Sequence, residues 1–71
     1  MSVVESVYKV VEIIGTSEKS WEEAARVAVK TASKSLRDLR VAEVVEMDMK
    51  LEGGEVVFRV KMNVSFKYQE E

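Results

Sequence analysis

Val56-Val57-Phe58-Arg59-Val60-Lys61-Met62-Asn63-Val64-Ser65-Phe66-Lys67-Tyr68 is a strict alternation. Val56, Phe58, Val60, Met62, Val64, Phe66 and Tyr68 point one way; Val57, Arg59, Lys61, Asn63, Ser65 and Lys67 point the other. Successive side chains of a strand lie on opposite faces, so the segment reads as one long strand with a buried face and a mostly polar face. Just upstream, Gly53-Gly54 suits a two-residue hairpin turn, whose central positions favour φ > 0. Arg40 to Leu51 supplies the partner strand. With the glycines as the turn, Glu52 pairs with Glu55 and the register follows. Met49 then faces Phe58, Met47 faces Val60, Val45 faces Met62 and Val41 faces Phe66. On the other face Asp48 meets Arg59 and Glu46 meets Lys61. Apolar groups meet and opposite charges meet, as cross-strand pairing favours, and a one-residue slip loses both matches.

Upstream of this hairpin lies a helix. Ser20-Trp21-Glu22-Glu23 has the pattern of a capping box, in which the Ser20 hydroxyl accepts from the Glu23 amide and Glu23 reaches back to the Ser20 amide. Glu22 and Glu23 suit the positive end of the helix dipole; Lys30, Lys34 and Arg37 suit the negative end. Trp21, Ala24, Ala25, Ala28, Ala32, Leu36 and Leu39 recur at helical spacing as one apolar stripe, and the alanines imply close approach to whatever the helix covers. Before the helix, Val7 to Ile14 is rich in β-branched residues and reads as a strand that ends at Gly15. The order is strand–helix–strand–strand, an α+β fold in a single domain over residues 1–71.

The composition limits what such a domain can be. A chain of 71 residues without cysteine has neither disulfides nor thiolate metal sites, and without histidine it lacks the commonest metal ligand and general base. Small domains need some staple, which leaves partner subunits or a hard cation held by oxygen ligands. A net charge of -2 with both signs interspersed carries no basic footprint for nucleic acid. No apolar run is long enough to span a membrane, and no signal-peptide pattern opens the chain, so a cytoplasmic location is the default expectation. Nothing resembles a nucleophile–base pair or a phosphate-binding glycine loop, so an enzyme is not expected.

Geometry then argues for self-association. A helix of about 19 residues is about 28 Å long, whereas strands of about 12 residues extend roughly 40 Å. The helix can cover one face of the sheet and little else. The other face is expected to carry Tyr8, Val10 and Ile14 with Ala42, Val44 and Val57. Subunit contacts would cover that surface and the strand edges; the alternative is a marginal monomer with a half-solvated sheet.

Several local motifs, taken together in order, resemble the dodecins. They are Val7-Tyr8-Lys9-Val10 with Glu12, Ile14-Gly15-Thr16-Ser17, Ser20-Trp21, Ala24-Ala25, Val41-Ala42-Glu43-Val44, Phe58-Arg59-Val60-Lys61-Met62 and Val64-Ser65-Phe66-Lys67. The resemblance covers nearly the whole chain. It implies a β-α-β-β subunit whose three-stranded antiparallel sheet wraps around one helix. It also implies a homo-oligomer of twelve subunits that stores or binds a small ligand, commonly a flavin (riboflavin, FMN or FAD). In the flavin binders a tryptophan stacks on the isoalloxazine ring; Val41 stands at the matching position and has no π-face. A flavin-bonding glutamine matches Arg59, which only donates. The chain is in this respect similar to dodecins that lack the tryptophan and are described as calcium-binding.

The candidate ligand positions carried over from the family are thus Val41, Glu43 and Arg59. Glu43 reads as lying on the apolar face opposite Val64. It is then either a polar anchor for a ligand or subunit contact, or a sign that the strand end is exposed or bulged. Arg59 is either one half of an ion pair with Asp48 or a cation facing an anionic ligand. Glu46 and Asp48, two residues apart on one strand face, are candidates for holding Ca2+ with symmetry copies, unless Lys61 and Arg59 neutralise them. Trp21 reads as core or interface packing. A shell that binds no ligand is the third possibility.

Overall fold

The computed structural model describes residues 7–67. Its elements are β1 (Tyr8–Ser17), α1 (Trp21–Ala32), β2 (Leu39–Glu52) and β3 (Glu55–Lys67), in an antiparallel sheet of order β1-β3-β2. Tyr68, expected to close the alternation of β3, lies outside the described residues.

The hairpin forms where the glycines place it. Gly53 and Gly54 have φ of 56° and 81°, with open space around both, so it is the backbone conformation and not crowding that asks for glycine here. From the turn outward the register is the expected one: Glu52 pairs with Glu55, Met49 with Phe58, Asp48 with Arg59, Met47 with Val60 and Glu46 with Lys61. Beyond that point it shifts. Val45 is an extra residue between Val44 and Glu46, and Arg40 is another between Leu39 and Val41. A bulge of this kind sets two residues against one and resets which side chains point to which face. Val44, not Val45, therefore faces Met62, and Val41 faces Ser65 instead of Phe66.

β1 is longer than its sequence suggests, because Gly15 does not end it. Gly15 pairs with Val60 in mid-strand, directly beneath the helix. A Cβ there would overlap the Ala24 carbonyl oxygen and sit 2.7 Å from the Ala28 Cβ. Gly15, Ala24 and Ala28 together let helix and strand approach, and both alanines are buried.

The helix is shorter than its apolar stripe implies. Ser20 caps it as expected, its Oγ accepting from the Glu23 amide at 3.0 Å, but the Glu23 carboxylate accepts from Arg26 at 2.7 Å. It stops at Ala32 because the Thr31–Ser35 stretch offers the backbone competing partners. The Ser33 hydroxyl donates to the Lys30 carbonyl at 2.7 Å, and the Lys34 and Ser35 amides tighten onto Thr31 and Ala32. Asp38, at φ 57°, turns the chain into β2. Leu39, at the end of the supposed stripe, is instead the first residue of β2 and packs against the core.

Twelve helical residues cover only about 18 Å, so α1 sits over β1 and the middle of β3. The core is small: Ala24 and Ala28 from the helix against Val60, Met62 and Val64 of β3, bordered by Val11, Ile13, Trp21, Ala25, Val29 and Leu39. Trp21 closes its end, its ring edge-on to Phe58 at 4.9 Å and its indole N–H donating to the Asp48 carbonyl at 3.1 Å. The molecule is drawn out to 54 × 20 × 15 Å, with a radius of gyration of 14.7 Å against about 11 Å for a compact chain of this length.

Candidate functional site

Val60, Met62 and Val64 point into the helix, so Arg59, Lys61, Asn63 and Ser65 point to the open face of the sheet. Pairing then fills that face row by row. From one end the rows are Val10·Ser65·Val41, Glu12·Asn63·Glu43, Ile14·Lys61·Glu46 and Thr16·Arg59·Asp48. All five residues singled out in the sequence, Val41, Glu43, Glu46, Asp48 and Arg59, are thus on one face. The bulge at Val45 makes this possible: it puts odd-numbered Val41 and Glu43 on the same side as even-numbered Glu46 and Asp48.

This corrects the placement of Glu43. It does not lie on the apolar face opposite Val64; it is exposed on the polar face opposite Asn63. No carboxylate is buried here, so the cost of desolvating one does not arise. The same shift moves Ala42 and Val44 to the helix side, while Tyr8, Val10 and Ile14 do lie on the open face, as expected.

The ion pairs of the expected register form. Arg59 Nε and Nη2 donate to the two carboxylate oxygens of Asp48 at 2.8 and 3.1 Å, a bidentate fork. This hydrogen bond holds the Asp48 carboxyl below the ordinary aspartate value and raises Arg59 above its own. Lys61 Nζ lies 3.4 Å from Glu46, a looser contact. Ser65 Oγ donates to the Val41 carbonyl at 3.4 Å. Asp48 therefore has both oxygens engaged, whereas Glu43 and Glu12 flank Asn63. Glu12 was missed as a site candidate because its place beside Asn63 depends on the β1–β3 register, which no turn sets. No three acidic side chains among the described residues converge closely enough to hold a metal ion within one chain. A hard cation on this face would need oxygen ligands from another copy.

The family model for dodecin matches residues 7–69. The chain belongs to the dodecin family. The family is one of small binding proteins. Among dodecins, the chain is similar to the protein named calcium dodecin of Mycobacterium tuberculosis, at 54% identity over 87% of this chain and 89% of that one. It is also similar to the dodecin of Thermus thermophilus, at 40% identity over 90% and 94% of the two chains. The crystal structure of the Mycobacterium tuberculosis calcium dodecin, described as calcium-chelating with a novel calcium-binding site, superposes with a TM-score of 0.84 at 51% identity, over 93% of this chain and 96% of that one. A dodecin from Streptomyces coelicolor reaches 0.89 at 33% identity, over 97% and 100%. The dodecin fold expected from the sequence is thus the observed one. No helix among the described residues is long and apolar enough to cross a membrane.

Proposed function

We propose that this dodecin works as a non-enzymatic, self-assembling binding protein, a single domain in a shell of twelve copies, and that its ligand is Ca2+ and not a flavin. One relationship carries the choice of ligand: on the open face, Val41 stands where a flavin binder needs an aromatic ring, and Arg59 is already committed to Asp48 through two hydrogen bonds. Without stacking, about 0.5–1.5 kcal/mol per aromatic pair is missing. The same face offers exposed carboxylates at Glu12, Glu43 and Glu46, of which the first two flank the Asn63 amide. Copies brought together at a symmetry axis would pool such oxygens, the ligand type Ca2+ takes. The 54% identity to a protein named calcium dodecin supports this choice.

The test is calorimetry with CaCl2 on chelator-treated protein, beside a fluorescence titration with riboflavin. Heat of calcium binding that is lost in the Glu43→Gln variant is the expected result. A flat calcium thermogram together with quenching of riboflavin at tens of micromolar would reverse the assignment.

A further inference from the structure

We infer that the helix-side face of β2 is the surface that a second copy of this chain covers. The inference rests on the self-association in the reading above and names the face. Two apolar surfaces are exposed on the subunit, and they differ in kind. On the open face Val10, Ile14 and Val41 are separated by the Glu12·Asn63·Glu43 row and by Lys61 and Glu46. On the helix side the bulged register sets Leu39, Ala42, Val44, Met47, Met49 and Leu51 in one row with no charge among them. The short helix does not reach this row. Val44 is 50% exposed, Met47 56%, Met49 49% and Leu51 74%.

Between this row and α1 run two grooves, of about 240 and 540 Å3. Trp21, Ala25, Val29 and Met62 line them with β2, and Glu22, Arg26 and Lys30 stand at their rims. An apolar centre within a polar rim is the anatomy of a subunit contact. The area agrees. The chain exposes 5516 Å2, whereas a compact protein of 8.1 kDa exposes about 4,500 Å2. The surplus of about 1,000 Å2 compares with about 800 Å2 per partner in a stable interface. The contact is made by this face more than by the edge of β2, because the bulges at Arg40 and Val45 interrupt the ladder that edge-to-edge pairing needs.

Light scattering after gel filtration, at tens of micromolar protein, tests this with Met47→Glu, Met49→Glu and the open-face variant Val10→Glu, each checked by circular dichroism. Met47 and Met49 are exposed in the subunit, so its own fold does not depend on them. The expected result is wild-type mass for Val10→Glu and a fall to the 8.1 kDa chain for both methionine variants, with the spectrum kept. Methionine variants that stay at wild-type mass overturn the inference, all the more if Val10→Glu dissociates. A wild-type protein that itself runs at the single-chain mass defeats the self-association reading instead.

Discussion

Arg59 holds Asp48 by both carboxylate oxygens, across the open face of the sheet and one register step from the row where Lys61 meets Glu46. Asp48 is anchored from the other side as well, since its carbonyl accepts the Trp21 indole N–H. One residue therefore ties the helix start to the charged face.

The pair sets a pH dependence. Arg59 lowers the Asp48 carboxyl in the folded state, so its contribution to stability is present above the unfolded aspartate value and is lost as pH falls through the lower folded value. Both side chains are over 40% exposed, at 41% and 48%, so solvent screens the effect and it stays small. A carboxyl NMR titration should place Asp48 below an ordinary aspartate in the wild type and return it upward in Arg59→Gln. An Asp48 midpoint that does not move between the two proteins would contradict the fork.

Gly15 is the least replaceable residue of β1. Gly15→Ala should destabilise by about 1–3 kcal/mol or more, because its Cβ meets backbone at Ala24, which cannot turn aside. Urea denaturation followed by circular dichroism measures this. Gly54→Ala should also destabilise, but through its φ of 81° and not through crowding.

The Ser20 cap predicts a smaller loss. Ser20→Ala removes the acceptor of the Glu23 amide and should cost about 1 kcal/mol, while Ser20→Asp should keep most of the stability. Equal melting temperatures for Ser20→Ala and the wild type would show that the cap carries no weight.

Val41→Trp probes the ligand. The position is exposed on the open face, so the larger ring enters without disturbing the core. Riboflavin affinity should rise by about 2- to 13-fold, the equivalent of one aromatic stacking contact. Fluorescence quenching reads the change directly, and an unchanged titration would mean that Val41 does not border a flavin pocket.

Much of this structure was legible as pattern. The alternation of Val56 to Lys67, the paired glycines and the Ser20 cap are local devices, and each appears where its residues stand. The Asp48–Arg59 and Glu46–Lys61 pairs were readable because they lie within eight residues of the turn, where its geometry controls the register. The helix end was not readable: Leu36 and Leu39 keep helical spacing, and only the Ser33 side-chain bond and the turn at Asp38 show that the chain has already left the helix.

The sequence by itself determined the element order, the hairpin and the charge pairs next to it, since turn chemistry and side-chain periodicity act over a few residues. The tertiary structure decided which residues share a face. Val44 and Val45 are alike, so no period-two pattern can tell which of them is the extra residue; packing of Val44 opposite Met62, against the helix side, makes that choice. From it follow the position of Glu43 beside Asn63, the gathering of all five candidate site residues on the open face, and the uncharged row on β2. Gly15 follows the same logic, since only the helix above it explains why a glycine stands within a strand.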